Sequence, residues 1–452
     1  MSVTEPQTYW AEHAWLPHQG GPAVERDVLI AVADGRITAV TPDSGPCPPG
    51  AVRLAGLLLP GQANAHSHAF HRALRGSVQV GSGTFWTWRD TMYRFAGALS
   101  PDSYLELATA VYAEMALAGI SAVGEFHYLH HAPGGARYDD PNAMGHALIE
   151  AAARAGIRIT LLDTCYLSSG FGAAPTEPQL RFSDGDADAW AARVDALKPS
   201  AHARIGAAVH SVRAVPAGQL GTVAQWGERA QAPLHVHLSE QTAENDACLA
   251  AHGVTPTRLL ADHGVLGPRT SAVHATHLTE EDIRLLADSS THICMCPTTE
   301  RDLADGIGPA RQLASAGCPV TLGSDSHAVI DPWEEARALE LDERLRTRTR
   351  GHWTAAALLR AGGEDGHASL GWPEAGRIEA GALADFTVIA LDSVRTAGPP
   401  PELGAETAVF AASGADVRHL VVGGRHVVKD GVHQLVPDVP RALSTTIAAL
   451  RQ

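Results

Sequence analysis

Lysine is almost missing from this chain of 452 residues: Lys198 and Lys429 are the only two. Acidic side chains outnumber lysine and arginine together by 50 to 34, for a formal charge of −16. Phosphate backbones are bound through clustered Lys and Arg, so nucleic acid is not an expected partner. No apolar run reaches the roughly 18 residues that a membrane helix needs. Residues 1–7, Met-Ser-Val-Thr-Glu-Pro-Gln, lack the basic-then-apolar texture of a secretory leader. No membrane association is expected, and a cytoplasmic location is. The six cysteines, Cys47, Cys165, Cys248, Cys294, Cys296 and Cys318, include no Cys-x-x-Cys pair. In that compartment they are expected to be reduced thiols, with Cys294-x-Cys296 packing rather than ligating.

Histidine is what the chain has in excess, 24 residues. Asn64-Ala65-His66-Ser67-His68-Ala69-Phe70-His71 follows the apolar run 57–60, where a strand should be ending. Side chains at i and i+2 of a strand share a face roughly 6.6 Å apart. Two imidazoles so placed can converge on one ion, with Zn–N bonds of about 2.0–2.1 Å. A second element, His235-Val236-His237-Leu238-Ser239-Glu240, closes another apolar run. A third is Val320-Thr321-Leu322-Gly323-Ser324-Asp325-Ser326-His327. Together they offer His66, His68, His237 and Asp325 as metal ligands and leave Glu240 beside them as an acid/base. A catalytic zinc needs that division: protein groups hold the ion, an exchangeable position takes water, and an unligated group moves protons. His235, on the same strand face as His237, is an alternative ligand.

From residue 57 onward eight short apolar runs can be counted: 57–65, 121–127, 158–165, 203–210, 233–238, 271–276, 291–296 and 318–323. Helix-patterned segments separate them, among them 103–118, 143–155, 187–198, 218–230, 280–288 and 309–316. Several end in Ala-Gly, a stop signal, just before the next strand (Ala118-Gly119, Ala155-Gly156, Ala316-Gly317). Eight alternations predict a (β/α)8 TIM-type barrel of the α/β class, with its site at the C-terminal ends of the strands. The polar residues fall there: His66 and His68, Glu125 and His127, His210, His237, His274 and Asp325. Residues 23–56 carry a hairpin signal at Asp34-Gly35, and 381–389 and 420–431 have the same strand-rich texture. Both termini are therefore expected to build one small β-sandwich domain, 1–60 and 378–452, into which a barrel of 61–377 is inserted. The stretches 42–50 and 396–401 read as connecting loops.

These residues resemble the metal-dependent amidohydrolase superfamily over nearly the whole chain. The likeness rests on His66-x-His68, His237, His274, Asp325 and the Gly-x-x-Ala-Asp element ending at Asp385. Longer strings resemble the deiminases of bacterial histidine degradation that act on N-formimidoyl-L-glutamate. They are residues 64–70, Phe85-Trp86-Thr87-Trp88-Arg89, Glu125-Phe126-His127-Tyr128-Leu129-His130-His131, His210-Ser211-Val212-Arg213-Ala214-Val215, Val273-His274-Ala275-Thr276-His277, Cys296-Pro297-Thr298-Thr299-Glu300 and Gly323-Ser324-Asp325-Ser326-His327. One departure stands out: where those enzymes are expected to carry Gln after Ala-Phe, this chain has His71, which bears on one substrate contact and not on the metal.

The resemblance implies a zinc-dependent release of ammonia from a linear amidine with two carboxylates, and a chain this acidic must supply local cations to hold it. Arg213 and Arg89 are the candidates, with His71, Tyr128 and His210 adding single hydrogen bonds. Water attacking the formimidoyl carbon would lose its proton with help from Asp325 and His274, and Glu240 would protonate the imino nitrogen. His274 would orient or polarise the reacting group. The aromatic group 85–88 is expected to pack as a loop over the barrel mouth. Neither lysine sits at a strand end, so no lysine can bridge two metals and one zinc per chain is expected. The expected partner is a small dicarboxylate and the expected assembly a homodimer. Two alternatives remain: a deaminase of a heterocyclic amidine such as guanine or cytosine, and a metal-binding barrel without catalysis.

Overall fold

The computed structural model describes residues 7–18, 21–80 and 85–451. Four strands open the chain: β1 (Gln7–His18), β2 (Gly21–Ala33), β3 (Arg36–Thr41) and β4 (Val52–Pro60). The β2–β3 hairpin turns at Asp34 and Gly35, both at positive φ, as the sequence predicts. Eight parallel strands follow, β5 (Gln62–Ser67), β6 (Ile120–His127), β7 (Arg158–Cys165), β8 (Ala203–Val209), β9 (Leu234–Leu238), β10 (Thr270–His274), β11 (His292–Met295) and β12 (Val320–Leu322), paired in chain order. The ring closes where Ser67 bridges Asp325, with Asp325 N donating to His66 O at 3.0 Å. Every residue of β6 and β7 is buried, because inner packing and an outer layer of helices cover both faces.

The helices pack on that barrel through apolar stripes. In Ala143–Ala155 the stripe is Met144, Ala147, Leu148, Ala151, Ala152 and Ala155, and Gly156 (φ 81°) ends the helix in the left-handed cap that glycine adopts without strain. The chain then returns to the first sheet as β13 (Phe386–Ile389), β14 (Val417–Val422), β15 (Arg425–Lys429) and β16 (Val432–His433). Its order is β16-β15-β14-β13-β4-β1-β2-β3, so strands from both ends of the chain meet at β4. The sheet curls onto itself: Ile37 N donates to Ala382 O and Ala384 N to Gly35 O, both at 2.9 Å. Tyr9 meets Phe386 edge-on with ring centroids 5.1 Å apart, inside a cluster with Ile30, Leu54, Leu58 and Val388.

Three expectations change. The run 57–65 is not one strand: β4 ends at Pro60 in the small sheet and β5 begins at Gln62 in the barrel. Gly61 makes the crossing, and a Cβ there would lie 2.4 Å from Ser121 Oγ. The aromatic segment is the start of a helix, Phe85–Ala98, rather than a loop; the side chains of Phe85 and Trp86 lie outside the described residues. The C-terminal part also adds helices that pack on the barrel, with Val439–Ala449 against Pro101–Leu117.

Candidate metal centre and its pocket

β5 delivers His66 and, one residue past its end, His68; β9 delivers His237; the turn after β12 delivers Asp325. One ligand atom from each lies within 4.8 Å of the others. His66 Nε2 and His68 Nε2 are each 3.3 Å from Asp325 Oδ1, and His237 Nε2 is 3.1 Å from His66 Nε2. Two imidazoles are oriented from behind, since a carbonyl can only accept. His68 Nδ1 donates to Phe126 O and His237 Nδ1 to His210 O, both at 2.9 Å. Their Nε2 atoms therefore carry lone pairs aimed inward. Burial lowers the pKa of His66 to about 4 and holds that of His237 well below the usual value, so both are neutral.

That donor set fits a cation. Lone pairs face one another and a carboxylate oxygen at close range, and a proton on His66 Nε2 could satisfy only one of those contacts. A divalent ion of borderline softness within reach of all four would satisfy them together. The backbone is also held in rare conformations here: Ser239, His274 and Asp325, each at or just past a strand end, have φ of 51°, 68° and 38°. Such strain gathers at functional sites.

Around the quartet lies a second ring. Asp325 Oδ2 is 3.8 Å from His274 Nε2, which is 3.9 Å from Glu240 Oε1. Behind it, His274 Nδ1 is 3.3 Å from Glu300 Oε1. Burial alone would disfavour the His274 imidazolium, but Glu240, Glu300 and Asp325 outweigh it and raise its pKa well above the usual value. Burial also raises Glu240, which favours a form that carries a proton to give. Asp305 is a neighbour the sequence reading missed: burial and Glu240 push its pKa up to about 8.

A pocket opens above the quartet, lined by His71, Arg89, Tyr128, His210 and Arg213 with Glu240 and His274. All the residues expected to touch substrate are thus brought together. His71 Nε2 lies 3.0 Å from Tyr128 Oη, and Trp88 stands edge-on to His71 at 5.1 Å. Burial holds the pKa of His71 and His210 well below the usual value and keeps both neutral. Arg213 Nε donates to Glu244 Oε2 at 2.6 Å, and the other oxygen of Glu244 accepts from Ser239 N at 3.1 Å. Among the described residues no hydrogen bond engages the η nitrogens of Arg213.

Other candidates lie elsewhere. His235 Nε2 is 3.3 Å from Ser369 O, outside the quartet. Phe126 turns its ring to His237 (centroids 4.3 Å apart), so Glu125 and His127 face the helix layer. There Glu125 accepts from Ser67 Oγ and Ala69 N, both at 2.7 Å, the residues either side of His68. His127, His130 and Asp163 form a further buried group. The Asp163 carboxylate already accepts from Trp190 Nε1 (3.0 Å) and from Nη1 and Nη2 of Arg193 (each 2.8 Å), whose charge would repel an added cation. Arg193 also pairs with Asp184, and this group is a structural ion network. Cys294 and Cys296 pack with Ala65 and Val273, and all six cysteines are free. No helix among the described residues is long and apolar enough to cross a membrane.

A (β/α)8 barrel with three imidazoles and a carboxylate at its C-terminal mouth defines a metal-dependent hydrolase. Comparison with known proteins agrees: the amidohydrolase family profile matches residues 57–427, and the chain belongs to that family. Among its relatives is the formimidoylglutamate deiminase of Pseudomonas aeruginosa, 36% identical over 94% of this chain and 95% of its own length. The 8-oxoguanine deaminase of the same organism is 30% identical over 89% and 90%. A solved amidohydrolase from Brucella melitensis superposes with a TM-score of 0.90 at 32% identity, covering 99% of this chain and all of the other. An atrazine chlorohydrolase from Arthrobacter aurescens, solved with zinc, shares the fold at 24% identity and a TM-score of 0.85, over 98% and 99% of the two chains.

Proposed function

We propose that this protein hydrolyses N-formimidoyl-L-glutamate to N-formyl-L-glutamate and ammonia, with one zinc ion per chain held by His66, His68, His237 and Asp325. The observation that carries this reading is the union in one pocket of a His3Asp cluster and an arginine that, among the described residues, is anchored through Nε alone, so that its outer edge is left for a carboxylate. The near-full-length likeness to a formimidoylglutamate deiminase supports it. Zinc is supported by the donor set and by its presence in solved proteins of this fold.

Zinc, when bound, supplies an activated water and polarises the formimidoyl group. The remaining work falls to side chains. Arg213 and Arg89 hold the two carboxylates toward the mouth, and His71, Tyr128 and His210 add neutral hydrogen bonds. Asp325 Oδ2, facing His274 Nε2 at 3.8 Å, takes the proton that the attacking water sheds. Glu240 gives a proton to the terminal imino nitrogen as the carbon becomes tetrahedral, then relays the proton of the new hydroxyl to the same nitrogen; that C–N bond breaks to release ammonia and leave the formyl C=O, and the proton held by Asp325 returns to Glu240. Glu300 fixes the ring of His274 from behind. The domain limits 1–60, 61–377 and 378–452 belong to this reading, and the passage from β4 to β5 supports the first of them. A homodimer and a cytoplasmic location stay with the reading as its expected context.

The test is ammonia release from a short panel: N-formimidoyl-L-glutamate, formimidoyl derivatives of neutral amino acids, guanine and cytosine. Turnover of the glutamate derivative well above the others is expected. Preferential turnover of a heterocycle would replace this reading with a nucleobase deaminase, and no turnover by zinc-loaded protein would leave a binding barrel.

A further inference from the structure

Asp325 has an unusual backbone for a residue other than glycine outside a helix, φ 38°, and its amide donates to His66 O at 3.0 Å. Its neighbours are gripped as well. On one side Asn64 takes hold of Ser324 twice: Ser324 N donates to Asn64 Oδ1 at 2.9 Å, and Asn64 Nδ2 donates to Ser324 Oγ at 2.7 Å. On the other side Ser326 N donates to Thr299 Oγ1 at 3.1 Å, and the hydroxyls of Thr299 and Ser326 are 3.0 Å apart. Thr299 is fully buried. It sits in the short helix Pro297–Asp302, beside Glu300, which faces His274. That helix is anchored independently, because Thr298 N donates to Glu335 Oε2 at 3.0 Å.

We propose that Thr299 is a positioning residue for the metal centre: its hydroxyl holds the left-handed turn that aims Asp325 at His66 and His68. The proposal rests on the reading of Asp325 as a metal ligand. Replacing Thr299 by Val keeps the shape of the side chain and removes the acceptor, so the amide of Ser326 is left buried and unsatisfied. The turn then relaxes, and the carboxylate leaves the position at which it meets the imidazoles. Supports of this kind behind a metal ligand typically change metal affinity by about 10- to 100-fold.

The test uses zinc itself, titrated into the full-length apoprotein in competition with a chromophoric chelator. Thr299→Val is expected to bind zinc 10- to 100-fold more weakly than wild type, and Thr299→Ser, which restores the hydroxyl, within about threefold of it. Thr321→Val is the control. Its hydroxyl is buried on β12 and donates to Ile293 O at 3.4 Å, and among the described residues no hydrogen bond joins it to Ser324, Asp325 or Ser326. It is expected to lower the apoprotein melting temperature as Thr299→Val does while leaving zinc affinity unchanged. Wild-type affinity in Thr299→Val beside weak binding in Asp325→Asn overturns the proposal and leaves the metal centre standing. Wild-type affinity in Asp325→Asn overturns the metal centre itself. Should Thr299→Val not fold, Thr299→Ala carries the same comparison, and failure of both to fold overturns the proposal, since the hydroxyl would then serve the fold and not the ligand.

Discussion

Removing the guanidinium of Arg213 separates substrate recognition from chemistry. Its Nε is committed to Glu244 at 2.6 Å, and its side chain is 24% exposed at the pocket, so the edge available to substrate is the pair of η nitrogens. A charge-assisted hydrogen bond is worth about 1.5–3 kcal/mol, and each 1.4 kcal/mol is tenfold. Arg213→Met should therefore raise the KM for N-formimidoyl-L-glutamate by roughly 10- to 150-fold, with partial solvation favouring the lower half of that range. A neutral formamidine has no carboxylate to lose and should change by less than about threefold. The substitution also strips Glu244, only 4% exposed, of its cation, and that carboxylate holds Ser239 at the end of β9. The double variant Arg213→Met/Glu244→Gln removes this complication and should keep the same difference between substrates. Initial rates on both substrates, with zinc content measured on the same samples, provide the assay. Equal losses for the dianion and the neutral amidine would refute the carboxylate role and with it the orientation of the substrate.

Glu240→Gln is expected to keep zinc and fold and to lose at least about 100-fold in kcat, the scale of general acid–base catalysis, in single-turnover and steady-state assays; loss of zinc instead would make Glu240 a ligand or a support for one. His71→Gln should leave zinc content unchanged and activity within about tenfold, since either side chain can donate one hydrogen bond, and a larger loss would show that the imidazole has a role of its own. Burial alone would raise the carboxyl pKa of Asp184, but hydrogen bonds from His131 and Arg193 hold it well below its ordinary value. The stability it contributes is complete above the unfolded-state pKa of about 3.9 and drains as pH falls toward the folded-state pKa. The urea midpoint of wild type should thus exceed that of Asp184→Asn at pH 6, with the gap closing below about pH 4; a gap that widens in acid would contradict the sign of the shift.

Strand ends were the most legible part of this chain. The run 158–165 and the helices 143–155 and 280–288 coincide with their sequence reading, because burial on both faces of a strand and a stripe on a helix leave strong periodic signals. The gathering of His66, His68, His237 and Asp325 was legible for the same reason: a parallel barrel brings all its strand ends to one mouth. The break at Gly61 was hidden, since Leu57–Leu59 and Ala63 are equally apolar although they serve two sheets. Thr299 and Glu300 stood in a string that carries the resemblance but without a role, and Asp305 escaped notice, because their partners are far away in sequence or in turns that carry no periodicity. Glu244 is a similar case. It lies on the first turn of the helix Thr242–His252, where an acidic residue reads as ordinary helix capping, and only the fold places Arg213 against it.

The measurement that bears most directly on the proposed reaction is the fate of the formimidoyl carbon. Zinc-loaded protein incubated with N-formimidoyl-L-glutamate labelled with carbon-13 at that position can be followed by NMR. The label should move into N-formyl-L-glutamate, with one ammonia released per turnover, because Glu240 delivers its proton to the terminal nitrogen while the arginines hold the glutamate end at the mouth. Appearance of the label in formamide, with free glutamate as the other product, would contradict both the orientation of the substrate and the role of Glu240.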